Sequence, residues 1–426
     1  MERPTFLTTR KTFPLFARLR PLLLAWENPF LAAALAAVIF SGLSATFTVP
    51  WRVSSAPYYN YLADAFLHGQ LNLRLIPPSL YDLSVFQGKY YLQWGPLPGV
   101  LAMPWVALFG VQSSDVLQTI IVGALNAGIF ALLLRRVDRR GWAALTPERR
   151  ALLSLFFTLG TAMTPLPAVG MVWYLVQLES VTAALLAFLA AFSLEGEKAF
   201  FWTGCAVAGI MLTRISAIFV AVFLAWYLLR RHWSLGWRRP LRACLVGLLP
   251  VAVAGGLLLA YNLLRFGQPF ENGASFHLMG PQYVENFKRY GYLSLHYAPV
   301  NAYFTYIDYP FLSLRQRTLE TAGGSLFLLS PLLLGAIYAL WQDRADKDTW
   351  ALLLAVLLGN IPVMMIMAPG SVNFGPRYAL DFILPVLMLT LRGVRRWPLP
   401  WIGLLALASV VQYLIGSVYL VYLFQL

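Results

Sequence analysis

PLPGVLAMPWVALFG, residues 96–110, decides how this chain is threaded. The run is apolar throughout, but at fifteen residues it falls short of the roughly 20 that a helix needs to cross a bilayer. It also carries Pro96, Pro98 and Pro104, and a proline inside a helix removes a hydrogen bond and crowds the preceding turn. Counted as a crossing, it would put RRVDRR (residues 135–140) and Glu148-Arg149-Arg150 outside. Counted as a juxtamembrane or re-entrant helix at the outer surface, it leaves the later basic clusters on one side, as orientation by positive charge requires. The second reading is the one adopted.

Working outward, the apolar runs are Phe30–Val49, Asp115–Leu134, Ala151–Val169, Ser180–Leu194, Phe200–Thr213, Ser216–Leu229 and Leu241–Leu264. Gly323–Trp341, Thr349–Ala368, Tyr378–Leu391 and Pro400–Leu423 follow. The expectation is an all-α polytopic membrane protein, a single domain over residues 1–426, with about 11 transmembrane helices and a cytoplasmic N-terminus. Composition agrees: 59% hydrophobic, 12% charged, mean hydropathy +0.66, against about 25% charged in soluble domains. The inner segments hold 22 of the 32 Lys and Arg residues. Two outer loops are large, residues 50–114 and 265–322. No cleavage site follows the basic N-terminus, so the first run is read as an uncleaved span.

The net charge of +14 lies in short clusters beside apolar runs, with no basic stripe or stacking module, which excludes a nucleic-acid partner. Cys205 and Cys244 sit inside apolar runs and read as packing residues. The four histidines (68, 232, 277, 296) show no zinc-ligand spacing, and no phosphate-binding glycine motif is present.

Pro57–Pro98, PYYNYLADAFLHGQLNLRLIPPSLYDLSVFQGKYYLQWGPLP, gathers the first polar chemistry outside a span. Tyr58, Tyr61, Leu62, Ala65 and Phe66 recur at helical spacing, predicting an amphipathic helix on the membrane. Asn60, Asp64 and His68 share its other face. They form either a solvated polar face or a site in which Asp64 is a general base with Asn60 and His68 beside it. Asp82, near Pro77-Pro78 and Gly88, is the competing carboxylate. Lys89 is a phosphate contact or an interfacial anchor, and the tyrosines and Trp94 suit a headgroup belt or a sugar-stacking surface.

The pattern of a first span, an outer Y-Y-x-x-L-A-x-x-F-L-x-G segment and a G-K-Y-Y-x-x-x-G-P-L-P helix resembles the GT-C superfamily of membrane glycosyltransferases. This is the group of protein mannosyltransferases and aminoarabinose transferases. The similarity continues through LTRISAIF (Leu212–Phe219), YNLLRFGQPFENG (Tyr261–Gly273) and FGPRYALDFILP (Phe374–Pro385), and so covers most of the chain. It implies a polyprenyl-phosphate sugar donor, a first-loop carboxylate that deprotonates the acceptor, and cations that hold the donor phosphate. Where such enzymes commonly carry Asp-Glu before the double tyrosine, this chain has Ser55-Ala56.

Glu179 begins a span and is either a functional carboxylate at membrane depth or one that just reaches the headgroups. Arg214, Arg265 and Arg377 are phosphate candidates, since guanidinium forks suit phosphate, although Arg377 with Asp381 also fits a plain i,i+4 ion pair. The second loop, with Glu271, His277, Glu285, Lys288, Arg289 and Asp308 among aromatics, is expected to cap the site. The expected function is transfer of a sugar from polyprenyl phosphate to a lipid, glycan or protein acceptor at the outer face of a prokaryotic inner membrane. No cofactor is expected, and a metal requirement is left open. The competing reading is a non-catalytic scaffold or a lipid or glycan transporter on the same fold.

Overall fold

The computed structural model describes residues 14–47, 49, 51–232, 238–312, 322–367 and 373–424. Among the described residues the chain is mostly helical, and six helices are long and apolar enough to cross a membrane. α1 (Pro14–Ala25) leads into α2 (Pro29–Ser44), whose start is set by Asn28. That side chain accepts from the amides of Phe30 and Leu31, and Pro29 occupies the first turn. α3 (Tyr58–Leu67), a β-hairpin and α4 (Leu97–Phe109) come next. α5 (Asp115–Arg139) is capped by Ser114, and α6 (Pro147–Leu159) by Thr146 with Pro147 behind it.

α7 (Leu166–Val169) and α8 (Val172–Ser193) precede α9 (Gly196–Thr213). A 3-10 turn at Ile215–Phe219 feeds α10 (Val220–His232), and α11 (Arg238–Phe266) follows. α12 (Pro281–Tyr290) and α13 (Ala298–Ala302) lie in the second large loop. The remaining helices are α14 (Leu326–Leu329), α15 (Leu334–Gln342), α16 (Lys347–Met365), α17 (Ile383–Val394) and α18 (Leu399–Leu423).

Several expected boundaries move, each for a local reason. α8 starts at Val172, not Ser180, so Glu179 lies within a helix and not at its edge. Ala151–Val169 breaks at Gly160, where α6 ends and a loop leads to α7. Gly323–Trp341 is not one helix: Pro331 has no amide to donate, and the segment divides into α14, a 3-10 turn and α15. Tyr378–Leu391 opens as a 3-10 turn, Arg377–Asp381, before α17. Thr48, Ala368 and residues 313–321 of the second loop fall outside the described residues.

An all-α reading also misses two small sheets. β1 (Leu83–Phe86) pairs antiparallel with β2 (Lys89–Leu92), and β3 (Ala322–Gly323) pairs parallel with β4 (Asn373–Phe374). The hairpin turn places Gln87 and Gly88 at φ +49° and +74°, the left-handed pair that matches strand twist.

The fold subsumes α3 more deeply than amphipathicity predicts. Residues 58–65 are all buried, so of the three polar residues read on one face Asn60 and Asp64 are withdrawn from solvent and His68, at the helix end, stays exposed. Its apolar side meets α4, where Gly99 approaches Leu62 so closely that a Cβ would lie 2.8 Å from the Leu62 side chain.

The two ends of the bundle differ in chemistry. One end is laced by ion pairs: Arg150 joins Glu27 and Asp138, Arg392 joins Asp343 and Asp346, and Arg20 meets Glu148. Asp348, at the start of α16, accepts from the Trp142 and Trp226 indoles, each at 2.9 Å, and from Arg230. Asp348→Ala leaves two indole donors unpaired and should destabilise the fold by about 2 kcal/mol. Thermal unfolding in detergent checks this, and Asp348→Asn, which keeps an acceptor, should lose less. The opposite end carries the hairpin and both large loops.

Candidate active site

A cavity of about 380 Å³ lies at that loop-bearing end, within the usual range for small-molecule sites. The hairpin supplies Tyr81, Asp82, Gln93 and Trp94, and the start of α8 supplies Trp173 and Tyr174. Arg214 comes from the α9–α10 corner, and Arg377 and Tyr378 from the turn before α17. The second loop adds His277, Gln282, Tyr283 and Tyr292.

The second loop is fastened down on both sides of α12. The Leu278 amide donates to Leu83 O at 2.7 Å, the Asp82 amide to Leu278 O at 2.8 Å, and Ser84 Oγ to Gly273 O at 2.8 Å. Further on, the Ser294 amide donates to Met365 O and the Met367 amide to Tyr292 O. α12 therefore hangs between two anchored ends and roofs the cavity with Gln282 and Tyr283.

This stitching puts His277 on Asp82 across 195 residues of chain. A carboxylate only accepts hydrogen bonds, so the His277 Nε2–H donates to Asp82 Oδ1 at 2.9 Å and the Trp173 indole to Oδ2 at 2.8 Å. Asp82 has φ +65°, a left-handed backbone that aspartate tolerates better than most residues. Its carboxylate is thus held by two donors from different elements, while its side chain stays 20% exposed to the cavity. The Tyr81 phenol is pushed up to about 12 by burial first and the Asp82 charge second. Tyr292 is also raised, by burial and then by Tyr378 and Asp82. Both phenols therefore stay protonated near neutral pH and can donate hydrogen bonds.

The cations divide into one that is compensated and one that is not. Arg214 Nε donates to Asp381 Oδ1 at 2.6 Å, and Asp381 also accepts from Gln177 and Ser216. The expected Arg377–Asp381 pair does not form, because Asp381 is committed to Arg214. Arg377 is 6% exposed, its Nε has no partner, and no ion pair to it occurs among the described residues. It is held instead by aromatic faces, with its guanidinium 5.3 Å from the Tyr174 ring centre and 4.8 Å from that of Tyr378. Tyr378 carries Arg214 as well, at 4.6 Å. The cavity thus brings together an oriented carboxylate and a guanidinium with no ion-pair partner among the described residues.

The other candidates lie elsewhere. Asp64 is 7% exposed and its carboxylate receives both Arg74 Nε and Nη2 at 2.9 Å, a bidentate pair away from the cavity lining. His68 bonds Asp64 O through Nδ1, and its side chain is half exposed. Asn60 is fully buried; it donates to Val111 O and Ser113 O and accepts from Gln118. Lys89 is exposed at the hairpin turn. Arg265, at the end of α11, donates to Leu92 O and Asn262 Oδ1 and lies over the Tyr261 ring, bracing the hairpin. Glu271 caps its own loop through the Gly273 and Ser275 amides. Glu179 faces a separate apolar groove. Trp173, and the partnership of His277 with Asp82, had no signal in the linear sequence. Among the described residues, no group of three or more His, Cys, Asp or Glu side chains is close enough to share a metal ion.

No protein-family profile matches the chain, and comparison with curated proteins gives no match. Among solved structures, the apo oligosaccharyltransferase of Archaeoglobus fulgidus aligns with a TM-score of 0.53 at 14% identity, over 92% of this chain and 55% of that one. The chain shares the fold of that oligosaccharyltransferase. It spans just over half the length of the Archaeoglobus enzyme. ArnT from Cupriavidus metallidurans, bound to undecaprenyl phosphate, aligns at TM-score 0.46 and 14% identity, over 92% and 75%. The Archaeoglobus oligosaccharyltransferase AglB with an inhibitory peptide and a dolichol-phosphate aligns at 0.47 and 14%, over 95% and 56%.

The segment Ser54-Ser55-Ala56, ahead of the double tyrosine, is tied to its neighbours. Ser54 donates through its amide (2.8 Å) and its hydroxyl to buried Asp115, which also accepts from the Met171 amide at 2.9 Å. The Val172 amide donates to Ala56 O. These bonds tie the segment before α3 to the start of α8 and so fix the ring of Trp173 beside Asp82.

Proposed function

We propose that this protein is a membrane glycosyltransferase that moves a sugar from a polyprenyl-phosphate donor to an acceptor in the Asp82 cavity. In this reading the chain crosses the membrane eleven times with its N-terminus inside, α4 lies at the outer surface, and the cavity opens outward. The observation that carries the proposal is the joint presence, in one aromatic-lined cavity, of an oriented carboxylate and a buried arginine with no counter-ion among the described residues.

The chemistry follows from that pairing. Asp82 takes the proton from an acceptor hydroxyl or amine as its heteroatom attacks the anomeric carbon. The new glycosidic bond forms as the carbon–oxygen bond to phosphate breaks, and the electron pair leaves with the phosphate, inverting the centre. Arg377 meets the charge that grows on that phosphate; a preorganised cation in a water-poor site acts most strongly where charge develops. His277 and Trp173 hold both Asp82 oxygens, and Arg214, neutralised by Asp381, supports the Tyr378 ring between the two guanidinium groups. The tyrosines and tryptophans supply faces for a sugar ring.

Asp64 remains the other carboxylate to be tested as base, but its bidentate bond to Arg74 favours a structural role. The scaffold or transporter reading rests on the Ser55-Ala56 substitution. Purified protein incubated with radiolabelled polyprenyl-phosphate sugars and a membrane extract separates these readings. Label moved into extract components, and lost in Asp82→Asn, supports the enzyme; no transfer from any donor supports the scaffold.

A further inference from the structure

A second cavity, about 270 Å³, lies where α2 and α18 end, and Arg52 is the one charged residue in its lining. The backbone of Arg52 is fixed: its carbonyl accepts from Ser114 Oγ at 2.6 Å, and its amide donates to Val49 O at 3.2 Å. The guanidinium is met less well. Nη1 donates to Ser44 O and Ser44 Oγ at 3.4 and 3.3 Å, and Nη2 to Val169 O at 3.4 Å. All of these exceed the roughly 2.7–3.2 Å of well-formed bonds, and every acceptor is neutral. No ion pair to Arg52 occurs among the described residues. The carboxylate whose charge reaches it, Asp115, lies outside the lining and is already met by Ser54 and the Met171 amide. A half-buried cation with such partners keeps its charge for an incoming anion. Ser55 lines the same cavity, exposed, and its hydroxyl has no partner among the described residues, so it adds a donor. A phosphate, whose several terminal oxygens accept, suits a guanidinium fork beside a hydroxyl.

The surroundings name the source of that phosphate. Phe47, in the lining, packs edge-on to Tyr422 at 5.5 Å between ring centres, and the two are 50% and 42% exposed. The ends of α2 and α18 thus present an aromatic seam beside the cavity, and Trp51 next to it is exposed as well. Exposed rings at the ends of apolar helices mark the level of lipid head groups. We infer that the Arg52 cavity seats the phosphate head of a membrane lipid whose chain lies along the Phe47–Tyr422 seam. Phe424 lines both this cavity and the Asp82 cavity. It also packs edge-on to Tyr174 at 6.2 Å, the ring that carries Arg377. One ring is therefore a wall common to two arginine-bearing cavities. Given the glycosyltransferase reading above, on which this last step rests, the lipid is the polyprenyl phosphate carrier, held at Arg52 on its way between the bilayer and Arg377.

The test is native mass spectrometry of the full chain in detergent, titrated with undecaprenyl phosphate. The wild type should bind two lipids per chain. Arg52→Gln should weaken one of them roughly 10- to 100-fold, the worth of a charge-assisted contact. Ser55→Asp, at an exposed position that leaves the Arg52 contacts with Ser44 and Val169 in place, should weaken the same one by setting a negative charge beside the phosphate. Arg377→Gln should lose the other. In the Arg377→Gln protein, hexadecyl phosphate should displace the remaining lipid at least tenfold more effectively than inorganic phosphate or hexadecanol. Two lipids retained in both Arg52→Gln and Ser55→Asp, or a single lipid in the wild type that Arg52→Gln leaves untouched, overturns the assignment. Equal displacement by inorganic phosphate overturns the lipid source, and equal displacement by hexadecanol overturns the phosphate seat. A single lipid lost in Arg52→Gln but kept in Arg377→Gln supports the Arg52 seat and contradicts the Arg377 one, so the two readings fail separately.

Discussion

Asp82→Asn should lower the transfer rate by about 10²–10⁴-fold, the usual contribution of a positioned general base, while leaving undecaprenyl phosphate binding near wild type. The expectation comes from geometry. The carboxylate faces the cavity, both its oxygens are oriented by donors from α8 and the second loop, and asparagine keeps the shape while removing the basicity. Asp64→Asn should behave in the opposite way. It weakens the bond to Arg74 and so lowers thermal stability, with the rate of the folded protein preserved. Rates and melting temperatures measured on both variants distinguish the two. A rate loss confined to Asp64→Asn would move the base to α3.

Arg377→Gln should weaken undecaprenyl phosphate binding roughly 10- to 100-fold, the worth of one strong charge-assisted contact. Lysine should not restore it fully, because the site grips a planar guanidinium between the Tyr174 and Tyr378 rings. Arg214→Gln should instead act on folding. Asp381 has a side chain 1% exposed, and removing its cation leaves a buried charge short of compensation, a loss of about 3–5 kcal/mol. Titration of tritiated undecaprenyl phosphate onto each variant, beside its melting curve, separates the ligand-facing arginine from the structural one.

How much of this was legible in the sequence depends on the range of the contact. Local signals were read only in part: the runs from Phe30 and Asp115 begin within a residue of α2 and α5, and residues 96–110 form a short helix of their own, but the start of α6 at Thr146-Pro147 was passed over for Ala151. Asp82 was visible as a candidate near Gly88, but its place in the cavity, against that of Asp64 outside the lining, was not. Helical phase groups Asn60, Asp64 and His68, yet cannot show Arg74 folding back onto Asp64, nor Val111 and Ser113 closing on Asn60. The choice between Arg214 and Arg377 was equally hidden. Spacing favours Arg377 with Asp381, and only the fold brings Arg214 in from 167 residues away. Trp173 and His277 reach Asp82 from 91 and 195 residues off, and no periodicity encodes such pairings.

The central claim is that one cavity joins the Asp82 base to the Arg377 phosphate seat. A cryo-electron microscopy structure of the protein in nanodiscs with undecaprenyl phosphate tests it most directly. The account predicts phosphate density within hydrogen-bonding distance of Arg377, in the cavity that Asp82 lines. Density for the phosphate at Lys89, at Arg265 or beside Arg74, with the Asp82 cavity empty, would contradict it.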